Sequence, residues 1–290
     1  MPSPLKSLSR LVKMLGAICI ALARRIDGGR VTPAPTFANF DDALLFCGTD
    51  GYKQSEIVDV VVAKTLIVKS KMEEGPVLDL DSLRTVIGLA GSQPSKGLTV
   101  IDFGGASGAH YRTARTILGK SFPLRWHVVE TEEMAETAGA VLADDSLRFF
   151  STLDSAEVGL GSIDLILASG SLQYTPDPLS FLKQILSIKA KHIFITRTVL
   201  TDTDQAFTMI QVSRLAAHGA GPLPEAFKDR EILTPVTIVE REEFEQELKE
   251  TYEIRFGILE DKGAYRHNGE TFNMFGYFLD LKKELLQAGD

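Results

Sequence analysis

Apolar and polar positions alternate between two periods along most of the chain. Leu98–Phe103 (LTVIDF) is a short apolar run of the kind that fills a fully buried strand. Ala109–Leu118 then has helical spacing, Arg125–Glu130 (RWHVVE) reads as a strand, and Glu132–Leu142 as a helix with acids in its first turn. Leu147–Phe150, Ile163–Ala168 and His192–Thr196 are further strands, with a helix over Pro178–Ile188. Strands spaced by helices predict a mostly parallel sheet covered on both faces, a Rossmann-like α/β fold. Arg241–Thr251 is a helix, and Tyr252–Leu259 and Phe272–Leu281 are two strands with no helix between them. They predict an antiparallel hairpin on the sheet edge. Thr201–Pro235, with GAGPLP at its middle, lacks clear patterning and reads as a lid or insertion over 201–235.

Before this core the pattern is helical. Asp41–Phe46, Gln54–Met72 and Asp81–Leu89 are helix candidates, although the valines of the second weaken its helical preference. GSQPSKG (91–97) is a break, and 31–97 reads as a helical cap on a domain spanning 98–290. Residues 1–30 stand apart. Lys6, Arg10, Lys13, Arg24 and Arg25 flank leucines at helical spacing, and no acid precedes Asp27. The uncharged run is too short to span a bilayer, so 5–26 suits a peripheral helix on an anionic membrane surface or a packed one. Ala21-Leu22-Ala23 also resembles a signal-peptidase site.

The net charge of −8 argues against a nucleic-acid partner. Cys19 and Cys47 make neither a disulfide framework nor a zinc site, and five scattered histidines offer no metal-ligand spacing. A reducing, cytoplasmic setting follows.

The chemistry concentrates after the first core strand, in Asp102-Phe103-Gly104-Gly105-Ala106-Ser107-Gly108. The glycines are out of register with GxGxxG, and no Gly-Lys-Ser/Thr follows, so neither a dinucleotide fingerprint nor a P-loop is present. Asp102 would repel a pyrophosphate but suits a ligand with an ammonium and a sulfonium, which describes S-adenosylmethionine; it would act at the edge of the site, through water or backbone contacts. Glu130, at the tip of the next strand, can accept both hydroxyls of a ribose. Ser169 and Ser171 end the fourth strand, where a transferred methyl group and its acceptor would meet. A hydroxyl acceptor needs a base, and His110 directly follows the glycine turn. Tyr174 and Arg197, each just past a strand end, are further catalytic candidates.

FDDALLFCGTDGY (40–52), IDFGGASGAHY (101–111), LRWHVVE (124–130), LRFFSTL (147–153), SGSLQYTPDP (169–178) and IFITRT (193–198) together resemble class I S-adenosylmethionine-dependent methyltransferases, and more narrowly an uncharacterised bacterial methyltransferase family. The resemblance implies seven strands with an antiparallel C-terminal one. It places the methionine part of the cofactor against Gly104–Gly108, the ribose on Glu130, the adenine against Thr131, and Ser151 and Thr152 at the adenine edge. Ala106 departs from the usual glycine, and no acid stands beside Ser151. The function expected is methyl transfer to a hydroxyl of a small molecule or glycan precursor. A non-catalytic cofactor-binding protein and an NAD(P)-dependent oxidoreductase are the alternatives. The sequence does not give the oligomeric state.

Overall fold

The computed structural model describes residues 36–48, 51–75, 78, 80–203, 205–267 and 270–286. The basic segment 5–26, its membrane and export readings and Cys19 lie outside these residues. No helix among the described residues is long and apolar enough to cross a membrane.

The strands are β1 (Thr36–Phe37), β2 (Leu98–Phe103), β3 (Leu124–Val129), β4 (Leu147–Phe150), β5 (Leu165–Ser169), β6 (His192–Thr201), β7 (Phe207–Arg214), β8 (Glu231–Glu240), β9 (Tyr252–His267) and β10 (Glu270–Leu281). The helices are α1 (Phe40–Cys47), α2 (Ser55–Glu74), α3 (Leu83–Ser92), α4 (Ala109–Leu118), α5 (Glu132–Leu142), α6 (Leu153–Glu157), α7 (Pro178–Ser187), α8 (Arg241–Thr251) and α9 (Lys283–Leu286).

Seven strands form the core sheet, in the order β4-β3-β2-β5-β6-β10-β9. The first five are parallel, and β10 runs antiparallel to both its neighbours. The closing hairpin therefore does join the sheet edge, but its second strand is inserted between β6 and β9. The reversal of strand order between β2 and β5 opens a crevice beyond their carboxyl ends, which is where such sheets bind ligands. Every residue of β2 is buried, as expected of a strand covered on both faces. Ile101 and Phe103 pack toward Leu182 and Phe244 of α7 and α8; Val100 packs with Tyr111 and Leu89 of α4 and α3 on the other face.

The stretch expected as a lid is more ordered than its pattern suggested. It contributes β7 and β8, which pair antiparallel and with β1 form a second sheet. This sheet meets the first where Leu200 and Thr201 pair with Val239 and Glu240. Between Phe207 and Pro235 the irregular part is the connection between β7 and β8. The stretch is hard to read because β8 is buried at Ile232, Thr234, Pro235, Val236, Ile238 and Val239, so consecutive buried positions break the alternation, and a proline sits inside the strand. The valine-rich α2 is helical over its full length, because Ile57, Val58, Val61 and Val62 bury against Met134, Ala138 and Leu142 of α5. Packing overrides the weak intrinsic preference of valine.

Candidate functional site

A cavity of about 1490 Å³ opens beyond the carboxyl ends of β2, β3, β5 and β6. Drug-sized ligand pockets run to ~300–1,000 Å³, so there is room for a cofactor and a second molecule.

The glycine turn forms its floor. Gly104 has φ +69° and Ala106 φ +50°, a left-handed conformation that costs a non-glycine residue energy. The Ala106 conformation has a visible purpose: its N–H points to Glu130, whose Oε1 accepts it at 3.0 Å. Glu130 Oε2 accepts the Thr131 N–H at 2.9 Å. Each oxygen keeps capacity for another donor. Burial pushes the Glu130 carboxyl up, the two backbone bonds oppose that, and the nearby charge of Asp102 adds to it. Gly105 is obligatory for another reason. A Cβ there would lie 2.4 Å from the Asp102 carboxyl carbon.

Asp102 and Gly108, both expected among the cofactor-binding residues, do not themselves line the cavity. Asp102 is fully buried beneath the turn, accepting from Trp126 Nε1 at 3.0 Å. His110 Nδ1 stands 3.1 Å from both its oxygens. A carboxylate only accepts, so Nδ1 carries the hydrogen and Nε2 is left as the basic nitrogen. Gly108, at φ +87°, precedes α4, and a Cβ on it would press on Leu147.

His110, Thr131, Ser151, Thr152, Ser169 and Ser171 all line the cavity. Thr152 also caps α6, accepting the Ser155 N–H at 3.2 Å. Ser169 Oγ takes hydrogen bonds from Thr196 Oγ1 at 2.8 Å and Arg197 Nε at 3.2 Å. The Thr131 and Ser171 hydroxyls and Gln173 Oε1 are buried with no hydrogen-bond partner. Orphaned polar atoms are uncommon in folded proteins; with Thr85 Oγ1, four of the six among the described residues belong to cavity-lining side chains, the others being Arg112 Nε and Thr234 Oγ1.

Opposite the turn, the wall is built from distant segments. Tyr174 donates to Gln211 Oε1 at 2.7 Å, and its ring centroid lies 4.5 Å from that of Tyr52. The Tyr52 ring in turn meets His218 at 5.2 Å. The loop carrying His218 is held by the buried Lys64, which donates to the carbonyls of Ala216, His218 and Gly219 at 2.8, 2.8 and 3.0 Å. Burial lowers the Lys64 pKa. Burial, aided by the Lys64 charge, brings His218 down to about 4. Tyr52, Gln173, Gln211 and His218 escaped the sequence reading. Tyr52 and Gln173 lie in the stretches 40–52 and 169–178 that carry the resemblance, but no local motif marks Gln211 or His218, and only the chain's path brings the four together.

No protein-family model and no curated protein sequence matches this chain. Among solved structures, the chain is similar to an S-adenosylmethionine-dependent methyltransferase from Clostridium acetobutylicum, with 14% identity over 75% of this chain and 97% of that one and a TM-score of 0.44. It is also similar to human N-acetylserotonin methyltransferase, crystallised with S-adenosylmethionine (13% identity, 93% of this chain, 69% of that one, TM-score 0.45). A third is the N-terminal domain of EvdMO1, crystallised with S-adenosylhomocysteine (14% identity, 69% of this chain, 81% of that one, TM-score 0.45).

Proposed function

We propose that this chain binds S-adenosylmethionine and transfers its methyl group to a hydroxyl of a small molecule or glycan precursor. The observation that carries the cofactor assignment is Glu130. Its carboxylate is held by the Ala106 and Thr131 amides at the tip of β3, at the cavity wall, with each oxygen able to accept a ribose hydroxyl. Two carboxylates, Glu130 and the buried Asp102, bracket the turn. Glu130 suits the ribose of either cofactor, whereas the Asp102 charge beneath the turn opposes a diphosphate there, which supports S-adenosylmethionine over NAD(P). The unpartnered Ser171 and Thr131 hydroxyls offer further polar contacts beside the turn.

When bound, S-adenosylmethionine supplies an electrophilic methyl carbon on sulfur. The chain's own contribution is alignment and proton removal. His110, its Nδ1 anchored to Asp102, presents Nε2 as the group that takes the proton from the acceptor hydroxyl. Tyr174 is tied to Gln211, so it shapes the acceptor wall and does not act as the base.

Calorimetric titration with S-adenosylhomocysteine and with NADH tests the assignment. Heat of binding for the first, abolished in Glu130→Ala, is expected; binding of NADH alone overturns it.

A further inference from the structure

Arg197 is the residue of this cavity that the cofactor reading leaves unused. It sits in the middle of β6 with φ +53°, one of four non-glycine residues with positive φ among the described residues. Such strain persists only where surrounding contacts hold it, and it concentrates at functional sites. Here the contacts are specific. Thr198 pairs with Phe275 and Ile195 with Tyr277, so Thr196 and Arg197 bulge opposite Gly276 alone. A Cβ on Gly276 would lie 2.8 Å from Glu260 Oε1; its absence lets that oxygen accept the Arg197 N–H at 2.6 Å. Gln173 Nε2 donates to the Arg197 carbonyl at 3.1 Å.

The bulge turns the side chain onto the cavity wall. Nε and Nη2 donate to Ser169 Oγ and O, at 3.2 and 3.0 Å, and the guanidinium lies over Gly170, where a Cβ would meet it at 3.0 to 3.2 Å. Among the described residues Nη1 has no hydrogen bond, and no carboxylate pairs with this side chain. Glu260, which accepts the Arg197 backbone N–H through Oε1, pairs through Oε2 with Arg84 Nε at 2.7 Å. The exposed Lys53 and Lys71 also border the cavity.

A guanidinium fixed on one edge, with its remaining N–H groups free in a cavity, is a fork for an oxyanion. We propose that Arg197 binds a carboxylate or phosphate carried by the methyl acceptor, so that the substrate is an anionic small molecule. The two ends of the cavity then have opposite polarity: acids around the cofactor's cationic groups, a guanidinium for the acceptor's anion. This rests on the methyl-transfer reading above.

The test separates the two. A small-molecule cell extract is divided by ion exchange into anionic, neutral and cationic pools. Each pool is incubated with the full chain and methyl-labelled S-adenosylmethionine. Label is expected in the anionic pool. Label confined to the neutral or cationic pool overturns the proposal, and label in no pool, with S-adenosylhomocysteine still bound, overturns the methyl-transfer reading instead. Alkaline phosphatase treatment of the anionic pool distinguishes the sources: loss of labelling assigns a phosphate, persistence a carboxylate. Arg197→Gln is expected to weaken labelling about 10- to 100-fold while S-adenosylhomocysteine affinity stays within about twofold. Arg197→Lys, which keeps the charge without the fork, is expected between the two. Loss of S-adenosylhomocysteine binding in a folded Arg197→Lys would place the guanidinium on the cofactor and contradict the proposal.

Discussion

The two ends of the cavity are built by different means. The glycine-turn end is mostly backbone. Gly104, Gly105, Ala106 and the Glu130–Thr131 pair come from two adjacent strand tips, and the key bonds are amide to carboxylate. The opposite end is side chain: Tyr52 from the segment before α2, Tyr174 after β5, Arg197 from β6, Gln211 from β7 and His218 from the loop between β7 and β8. The first end is suited to a ligand that does not vary. The second can be rebuilt residue by residue without disturbing the turn. A cofactor that stays the same and an acceptor that distinguishes one enzyme from another call for such a division.

That division can be broken experimentally. The largest effect is expected at the junction of the two ends. His110→Ala should lower the methyl-transfer rate by about 10²- to 10⁴-fold while leaving S-adenosylhomocysteine affinity intact, read by single-turnover transfer beside calorimetry. Glu130→Ala acts on the first end alone and should weaken cofactor binding by about 100-fold, since hydrogen bonds to a charged group are lost. Glu130 ionisation should also govern binding. Its carboxyl lies above the usual range, so affinity should fall on acidification before an ordinary carboxylate would titrate.

The second end has its own stability signature. Lys64→Met removes the donor to three carbonyls of the His218 loop and should cost about 1–3 kcal/mol in urea denaturation, with cofactor affinity nearly unchanged. A further effect at this end concerns pH. His218 titrates at about 4 when folded and near 6.5 otherwise. Between those values the unfolded chain binds a proton that the folded one refuses, so stability should decline as pH falls from about 6.5 toward 4. His218→Gln should flatten that slope in denaturation midpoints measured across the range.

The same division explains what could be read from the chain. The parallel strands and the turn were legible because period and small-residue spacing are local signals. Glu130 was legible because it ends a strand next to the turn. The placement of Asp102 was not legible for a physical reason: an acid beside a glycine turn has the same spelling whether it faces a ligand or, as here, is buried beneath the turn and bonded to His110. The bulge at Arg197 depends on Gly276 and Glu260, nearly eighty and more than sixty positions away, and no window of sequence contains it. The β7–β8 pair was hidden because β8 carries a proline inside the strand and buries consecutive residues, Thr234 to Val236 and Ile238 to Val239, so no clean alternation marks it.

The most direct measurement is native mass spectrometry of the full chain mixed with equal amounts of S-adenosylhomocysteine and NADH. An adduct with the mass of S-adenosylhomocysteine alone, lost in Glu130→Ala, is the expected result. An NADH adduct, or an S-adenosylhomocysteine adduct that survives the loss of Glu130, would contradict the assignment of the glycine-turn end.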